Sequence, residues 1–240
     1  MKLALFGQGG MGSLVEARAR AAGHEITAIF TDRDAGRSPE ELARSLGGAD
    51  VAVDFSVGAA VPDHVRACVR AGVPLVEGTT GWAKELDSVR RIVADGKGAL
   101  IYGANFSIGV NLFYRIVRAA AEQLGRDPSY GGGAFIEEAH HARKKDAPSG
   151  TALKLKDIVA RSFGDGVSVA STRAGNIPGT HRVGFDGTAD QILLTHTARS
   201  REGFAAGALL AAQWIVGRAG VYEFSEVLDD LLGSGRESRG

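Results

Sequence analysis

Near its start the chain reads Leu3-Ala-Leu-Phe-Gly-Gln-Gly-Gly-Met-Gly12. The apolar residues predict a short buried strand, and the glycines end that strand abruptly. From Met11 to Ala22 the apolar residues recur at helical spacing, so a helix is expected directly after the glycines. A strand, a glycine-rich turn and a helix in this order form the first half of a βαβ unit.

The turn has the spacing GxGxxG, and its six residues are Gly7, Gln8, Gly9, Gly10, Met11 and Gly12. The first glycine of such a turn allows the tight bend, the second lets a pyrophosphate approach the backbone, and the third lets the helix pack closely on the strand. A glycine-rich turn without a ligand is the alternative. The strand before it and the helix after it favour a dinucleotide site, with the phosphates at the helix N-terminus.

The residues that follow the second predicted strand bear on cofactor choice. Asp32 lies 20 residues beyond Gly12, where a carboxylate accepts hydrogen bonds from the adenosine ribose of NADH. Arg33 beside it could instead bind the 2′-phosphate of NADPH. Thr31 could also occupy the position that sets the preference, so NADH and NADPH are both candidate cofactors.

The first hundred residues alternate short β-rich runs with helical patterns, which is typical of a parallel sheet with helices on both faces. The pattern assigns no element to residues 33–50. The predicted strands are 3–6, 25–30, 51–55, 73–76 and 100–102, and the predicted helices are 11–22, 59–71 and 84–94.

After a long predicted helix at 108–124 the periodicity changes, and most of the following elements read as strands. We therefore expect an α/β protein with two domains. Residues 1–105 form a Rossmann-like, doubly wound parallel sheet that binds the dinucleotide. Residues 106–212 form a smaller α+β domain with a mixed or antiparallel sheet, for substrate binding and oligomerisation. The end of the chain, 202–216 and then 221–232, is helical or mixed, and we expect the segment from about 213 to 240 to return to the first domain. The later predicted strands are 134–139, 167–172, 181–185 and 191–198, with one helix at 151–163.

A basic loop precedes that helix and is the second chemical signal. Five basic or potentially basic side chains fall within six residues: His140, His141, Arg143, Lys144 and Lys145. Pro148 and then Ser149, Gly150 and Thr151 open the helix, whose first N–H groups are free to bind an anion. A solvated loop with an ordinary cap is the alternative. The adjacent histidines favour a site for a small dicarboxylate.

Composition excludes several classes of function. Acidic and basic residues balance at 28 each, so no overall field attracts nucleic acid or an anionic membrane. No stretch has the apolar length of a membrane span or the layout of a signal peptide, and we expect a cytoplasmic protein. The single cysteine, Cys68, rules out a disulfide framework. No metal is expected, because neighbouring histidines seldom aim at one ion and nearby lysines disfavour a cation.

The segment from Glu138 to Ala152, EAHHARKKDAPSGTA, resembles the signature of the dihydrodipicolinate reductase family. Other segments are similar to the same family in the same order, so the resemblance covers nearly the whole chain. They are GQGGMG from Gly7, VDFS from Val53, GTTG from Gly78, ANFSIGVN from Ala104 and RAGNIPGTH from Arg173.

The resemblance implies a reductase of lysine and diaminopimelate biosynthesis that reduces 4-hydroxy-tetrahydrodipicolinate with NADH or NADPH. It implies that His140 is the general acid and that Lys144 supports proton transfer and binds substrate. His141, Ser149, Gly150 and Thr151 would bind the substrate carboxylates. It also implies a homotetramer assembled through the sheet of the second domain. The nicotinamide would be lined by Phe55, Gly78, Thr79, Thr80, Ala104, Asn105 and Phe106.

The acid assignment contains one conflict. Neighbouring positive charge favours the neutral form of His140 and so lowers its pKa, whereas a general acid must begin the reaction protonated. A bound dicarboxylate would neutralise the loop and raise that pKa. We therefore expect His140 to become an effective acid mainly when substrate is bound.

Two other functions fit part of the sequence. A different dinucleotide-dependent dehydrogenase of a small carboxylate would keep the glycine turn but would not need the basic loop. A non-catalytic dinucleotide sensor could lose that loop altogether. The intact loop disfavours both.

Overall fold

The computed structural model describes residues 1–131 and 133–233. Residues 234–240, which the sequence analysis assigned to the C-terminal segment, lie outside the described residues. In chain order the elements are β1 (Lys2–Phe6), α1 (Gly10–Ala21), β2 (Glu25–Phe30), α2 (Pro39–Leu46), β3 (Val51–Asp54), α3 (Val61–Ala71), β4 (Leu75–Glu77), α4 (Leu86–Asp95), β5 (Ala99–Tyr102), α5 (Ile108–Leu124), β6 (Ala134–His140), α6 (Gly150–Phe163), β7 (Ser168–Arg173), β8 (Thr180–Asp186), β9 (Gln191–Thr197), α7 (Glu202–Ile215), β10 (Gly220–Glu223) and α8 (Leu228–Gly233).

The chain forms two compact units, Met1–Ile108 with Glu202–Gly240, and Gly109–Arg201. Six parallel strands form the sheet of the first unit, in the order β10-β5-β4-β3-β1-β2. The chain order reverses at β1, so the carboxyl ends of β1 and β3 flank the crevice where open α/β sheets bind ligands. The Rossmann-like prediction is confirmed.

Helices cover both faces of this sheet, as the unbroken apolar run at the start of the chain requires. Leu3 and Leu5 face a core formed with α1, α7 and α8, whereas Ala4 and Phe6 face a core formed with α2, α3 and α4. Successive side chains of a strand point to opposite faces, so a strand buried on both sides must be apolar throughout.

Helix α2 lies in the stretch to which the sequence analysis assigned no element. Ser38 accepts a hydrogen bond from the Glu41 N–H, and the Glu41 carboxylate accepts one from the Ser38 N–H. This capping box and Pro39 start the helix, and Leu42 and Leu46 bury one of its faces. The signal Ser-Pro-Glu-Glu was present, but the helix is too short for its periodicity to stand out.

The C-terminal part of the chain completes the first unit. Segment 221–232, described from sequence as helical or mixed, begins with the strand β10, which pairs with β5. Helix α7 packs on α1 and on strands β3 to β5. The boundary placed at residue 212 therefore falls inside α7, whose small buried side chains fit against the first sheet.

The second unit contains a four-stranded sheet in the order β7-β6-β8-β9. The β6–β7 pair is parallel, because α6 carries the chain back across the sheet, and the other two pairs are antiparallel. The predicted mixed sheet is confirmed. Helices α5 and α6 bury one face of it. No helix among residues 1–131 and 133–233 is both long and apolar enough to cross a membrane.

The close packing of α7 predicts a sharp difference between two of its glycines. A Cβ at Gly207 would lie 1.7 Å from the carbonyl oxygen of Phe106, whereas a Cβ at Gly203 would lie 3.7 Å from its nearest neighbour, Ser107 Oγ. We expect Gly207→Ala to lower the free energy of unfolding by about 2 to 3 kcal/mol. Gly203→Ala, the matched control, should be neutral or stabilising by up to about 1 kcal/mol. Urea unfolding checks both, and equal effects would contradict this packing.

Candidate active site

The glycine turn after β1 has the geometry that its spacing predicts. Gly7 has a positive φ of 89°, and a Cβ there would lie 2.5 Å from the Phe55 carbonyl oxygen. A Cβ at Gly12 would lie 1.9 Å from the Gly7 carbonyl oxygen, so only glycine allows α1 to approach the turn this closely. A Cβ at Gly9 would meet no atom within 4 Å. The space beside Gly9 is therefore open to a ligand.

Helix α1 begins at Gly10, directly beyond this open space. Its N-cap residue, Gly9, offers no side chain to cap the helix. Ser13 stabilises the turn from the other side by donating a hydrogen bond to the Gln8 carbonyl oxygen. The first N–H groups and the positive end of the helix dipole are suited to bind an anion such as a pyrophosphate. Met11, the residue between the two helical glycines, is partly buried.

The turn after β2 lies at the same edge of the sheet. Asp32 and Arg33 are exposed there, and Asp34 and Thr31 hold the turn together. The Asp34 carboxylate accepts a hydrogen bond from the Thr31 N–H, and the Thr31 hydroxyl accepts one from the Arg33 N–H. The side chains of Asp32 and Arg33 thus remain accessible, whereas the Thr31 hydroxyl is used within the turn.

Three further loops follow β3, β4 and β5 and bring the remaining expected cofactor residues to this edge. The Phe55 ring lies over Gly78, where a Cβ would come within 2.2 Å of it. A pocket of about 300 Å³ is lined by Thr79, Thr80 and Ala104, among others. Asn105 accepts a hydrogen bond from the Ser107 N–H.

Phe106 differs from the other expected cofactor residues because its side chain is buried in the core. It is 1% exposed, and its ring lies 4.6 Å from that of Phe224. Only the backbone of Phe106 is therefore suited to line a cofactor.

In the second unit His140 ends β6, and Glu138 precedes it by two residues on the same face of the strand. One Glu138 oxygen forms an ion pair with His140 Nδ1. The other accepts hydrogen bonds from Arg173 Nη2 at 2.7 Å and from the Ser149 N–H at 3.2 Å. Burial alone would raise the pKa of Glu138, but the hydrogen bonds from Arg173 and Ser171 outweigh burial and hold that pKa at about 2. Glu138 is therefore a carboxylate that orients the imidazole.

The pKa of His140 is lowered, as expected from sequence, but the leading cause is different. Burial lowers it most, Glu138 opposes this effect, and Lys144 and Arg173 lower it further. Burial therefore has the largest effect on the pKa of His140, and the nearby charges raise or lower that pKa further. A ligand that adds negative charge would act in the same direction as Glu138.

A second histidine lies against the first. The His181 ring meets the His140 ring edge-on, at 5.1 Å between centroids. The Ser149 hydroxyl accepts a hydrogen bond from the Ala152 N–H and lies 3.1 Å from His181 Nε2. Burial, with added repulsion from His140, lowers the pKa of His181 to about 4. A neutral His181 and the Ser149 hydroxyl therefore share a hydrogen bond.

The start of α6 carries the expected substrate residues. Ser149 is 2% exposed, and its hydroxyl is used within the protein as the helix cap. Gly150 is exposed, and Thr151 hydrogen-bonds with Tyr114. The loop leads directly into α6, so the free N–H groups at the start of this helix lie next to the basic loop.

The loop is held by ion pairs that a substrate could exchange. Lys144 Nζ lies 2.8 Å from a carboxylate oxygen of Asp146, and this contact lowers the pKa of Asp146. Arg173 donates to the Asp146 carbonyl oxygen as well as to Glu138, so it ties the loop to β6. His141 Nδ1 is buried without a hydrogen-bond partner among the described residues. Lys144 and His141 are therefore suited to bind an added carboxylate.

Glu138, His140 and His181 place potential ligand atoms within 4.8 Å of one another, close enough for a metal ion. The arrangement fits a cation poorly, because Arg173 already occupies one Glu138 oxygen and, with Lys144, places positive charge beside the cluster.

Sequence reasoning assigned no role to Glu138, Arg173 or His181. The alternation of strand side chains could have paired Glu138 with His140, since the two are separated by one residue. Arg173 and His181 reach the site from β7 and β8, and only the strand pairing brings them there.

The chain is similar to known proteins in sequence and in fold. The family model described as "Dihydrodipicolinate reductase, N-terminus" matches residues 1–106, and the model for the C-terminus matches residues 109–228. A 4-hydroxy-tetrahydrodipicolinate reductase of Christiangramia forsetii is 34% identical over 244 residues, which cover 97% of this chain and 99% of the relative. One of Archaeoglobus fulgidus is 36% identical over 263 residues, with 95% and 100% covered.

A solved structure of dipicolinate-bound dihydrodipicolinate reductase from Paenisporosarcina sp. TG-14 superposes with a TM-score of 0.78 at 22% identity, and 95% of this chain and 99% of that chain are covered. A probable dehydrogenase from Thermotoga maritima has a TM-score of 0.58 at 12% identity, with 100% and 98% covered. At these identities the likeness shows a shared fold.

The open space at Gly9 predicts an effect on ligand binding without an effect on folding. We expect Gly9→Val to weaken binding of NADH and NADPH by at least about tenfold, because the side chain would occupy the place of the pyrophosphate. Fluorescence titration measures the affinity, and circular dichroism should show an unchanged fold. Unchanged affinity in the folded variant would show that the dinucleotide does not bind at this turn.

His181 predicts a pH dependence of stability. Its pKa is about 4 in the folded protein, against an ordinary value of 6.5. Between these values the unfolded chain binds a proton that the folded chain does not, so stability falls as the pH is lowered through this window, by at most about 3 kcal/mol. Replacement by Gln should remove this part of the slope. Histidine NMR gives the direct readout, and a His181 midpoint near 6.5 would contradict the buried neutral ring.

Proposed function

Since the chain belongs to the dihydrodipicolinate reductase family, we propose that its two units divide the family reaction, with hydride supplied in the first unit and a proton supplied by His140 in the second. The protein is an NAD(P)H-dependent oxidoreductase of lysine and diaminopimelate biosynthesis, and it reduces 4-hydroxy-tetrahydrodipicolinate to tetrahydrodipicolinate. The observation that carries the proton assignment is the contact of His140 with the ionised Glu138.

In the first unit the residues present fit a dinucleotide. Open space at Gly9 and the uncapped start of α1 suit the pyrophosphate. The exposed Asp32 suits a ribose and Arg33 a 2′-phosphate, which supports use of both NADH and NADPH. Backbone groups of Gly78–Thr80 and Ala104–Phe106 would line the nicotinamide, which when bound supplies the hydride.

In the second unit the substrate is a small carboxylate that the basic loop and the start of α6 would hold. Lys144 would exchange Asp146 for a substrate carboxylate, and the N–H of Gly150, an exposed residue, would donate to it. Thr151 and the unpartnered His141 Nδ1 would add further polar contacts. The net charge of the chain is zero, so binding of an anion depends on these local donors.

His140 would protonate the position that gains electron density as hydride is added. Glu138 fixes the ring through Nδ1, which leaves Nε2 as the atom that delivers the proton. Two substrate carboxylates would offset Lys144 and Arg173 and so raise the pKa of His140. His140 would thus carry its proton mainly when the substrate is bound.

The open face of the second sheet supports an assembly, which we propose is a homotetramer. Phe135, Gly184 and Leu193 form one row across β6, β8 and β9. The Phe135 ring covers Gly184, and Leu193 is 52% exposed. An apolar row on an uncovered sheet face favours burial against another copy. We also propose that the protein is located in the cytoplasm.

The division of labour in the basic loop can be tested by steady-state kinetics with both substrates. We expect His140→Gln to reduce kcat by about 10²- to 10⁴-fold with little change in KM, because a general acid acts only in the transition state. Lys144→Ala should damage both parameters. Lys145→Ala removes the same charge from the same loop and should do much less. Retained kcat in His140→Gln would exclude His140 as the proton donor.

Binding should also change the pKa of His140. We expect histidine NMR to show a higher His140 pKa in the presence of cofactor and a dicarboxylate inhibitor than in the free protein. An unchanged or lower value would mean that the substrate does not recruit the acid.

A further inference from the structure

Two carboxyl groups are buried side by side beneath the loop 78–81. Asp54 ends β3 and Glu77 ends β4, and the two are register partners in neighbouring parallel strands, so their side chains point to the same face. Both are 0% exposed. Two adjacent carboxylates in an apolar core repel each other strongly, and one proton shared between them removes the repulsion.

The hydrogen bonds distinguish the two carboxyl groups. One Asp54 oxygen accepts from the Ser56 N–H at 2.8 Å and from the Thr79 hydroxyl at 3.1 Å, and the other pairs with His64 Nδ1 at 2.6 Å. Asp54 is therefore fully satisfied as a carboxylate. Glu77 Oε1 accepts from the Thr79 N–H at 2.7 Å, whereas Oε2 is buried without a donor among the described residues. A proton on Glu77 can bridge this oxygen to Asp54.

The surrounding charges agree with that assignment. Burial raises the pKa of Glu77, and Asp54 raises it further. The other titratable groups beside the pair are His64, which pairs with Asp54, and Cys68, whose pKa is itself raised by burial, both on α3, and Tyr102, the register partner of Glu77 on β5. Within residues 1–131 and 133–233 neither carboxyl group has a lysine or arginine partner.

Thr79 is the residue that this pair holds in place. Its N–H donates to Glu77 and its hydroxyl donates to Asp54 while accepting from the Ser56 N–H. Its carbonyl oxygen accepts from the Trp82 indole N–H at 2.8 Å. Every polar atom of Thr79 is thus bonded inside the protein, and its conformation sets the path of the loop.

We propose that Glu77 functions as a neutral carboxylic acid and that, with Asp54, it is a positioning residue that fixes the loop 78–81 for the nicotinamide end of the cofactor. This inference rests on the proposed function, in which that loop lines the nicotinamide.

The positioning role can be tested with two variants and two ligands. Glu77→Gln keeps an uncharged group and the acceptor for the Thr79 N–H, and it should change the affinity for NADH by no more than about twofold. Glu77→Met removes the acceptor, leaves that N–H buried and unpaired, and should weaken NADH binding by roughly 5- to 30-fold. ADP-ribose lacks the nicotinamide and should bind wild type and Glu77→Met equally.

The outcomes separate this inference from the proposed function. If ADP-ribose fails to bind the wild-type protein, the dinucleotide site itself is wrong. If ADP-ribose binds but Glu77→Met retains full NADH affinity, or if Glu77→Gln is as damaging as Glu77→Met, the positioning role of a neutral Glu77 is wrong.

The proton on Glu77 has its own test, which also applies if Glu77→Met fails to fold. Above the ordinary carboxyl pKa the unfolded chain loses a proton that the folded chain keeps, so wild-type stability falls as the pH rises, by up to about tenfold in the unfolding equilibrium constant per pH unit. Glu77→Gln should lack this slope, so its stability relative to the wild type should increase from pH ~5 to ~8. Glu25→Gln, at an exposed position of the same sheet, is the control and should keep it. Equal slopes in wild type and Glu77→Gln would mean that Glu77 is ionised.

Discussion

The contact between the Gly7 carbonyl and α1 is the constraint on which the first unit depends. With 1.9 Å between that oxygen and any Cβ at Gly12, the helix can lie against β1 only if Gly12 lacks a side chain. This contact sets the direction of α1, and its uncapped start then faces open space at the edge of the sheet. The remaining ligand loops reach that edge because parallel strands all end on the same side.

Buried acids serve opposite purposes in the two units. Glu138 has Arg173 beside it and stays ionised. It can therefore orient the His140 imidazole and oppose the loss of the imidazole proton. Glu77 has no such cation among the described residues, and a neighbouring carboxylate favours its protonated form. The same side chain thus becomes an anion or a hydrogen-bond donor according to the charge placed next to it. The chain has zero net charge and can still bind an anion, because binding depends on the charges placed around the site and not on their sum over the chain.

The fold class and the two chemical segments could be predicted from sequence, because both depend on local patterns. The alternation of short β-rich runs with helical patterns predicted a parallel sheet, and the basic loop with its helix start predicted an anion site. Helix α2 was missed although its capping box was visible, since eight residues show too little periodicity. Arg173, His181 and the Asp54–Glu77 pair were missed for another reason. Their partners are distant in sequence, and only strand register brings them together.

The first unit is discontinuous, and this affects its folding during synthesis. Strands β1 to β5 emerge from the ribosome first, but α7, which covers one face of their sheet, and β10, which pairs with β5, follow only after the whole second unit. The intervening residues 109–201 can fold as they emerge, because their sheet and both of its helices are continuous in the chain. Until translation is almost complete, α1 alone covers that face of the nascent sheet, and the apolar surface that stays exposed favours aggregation.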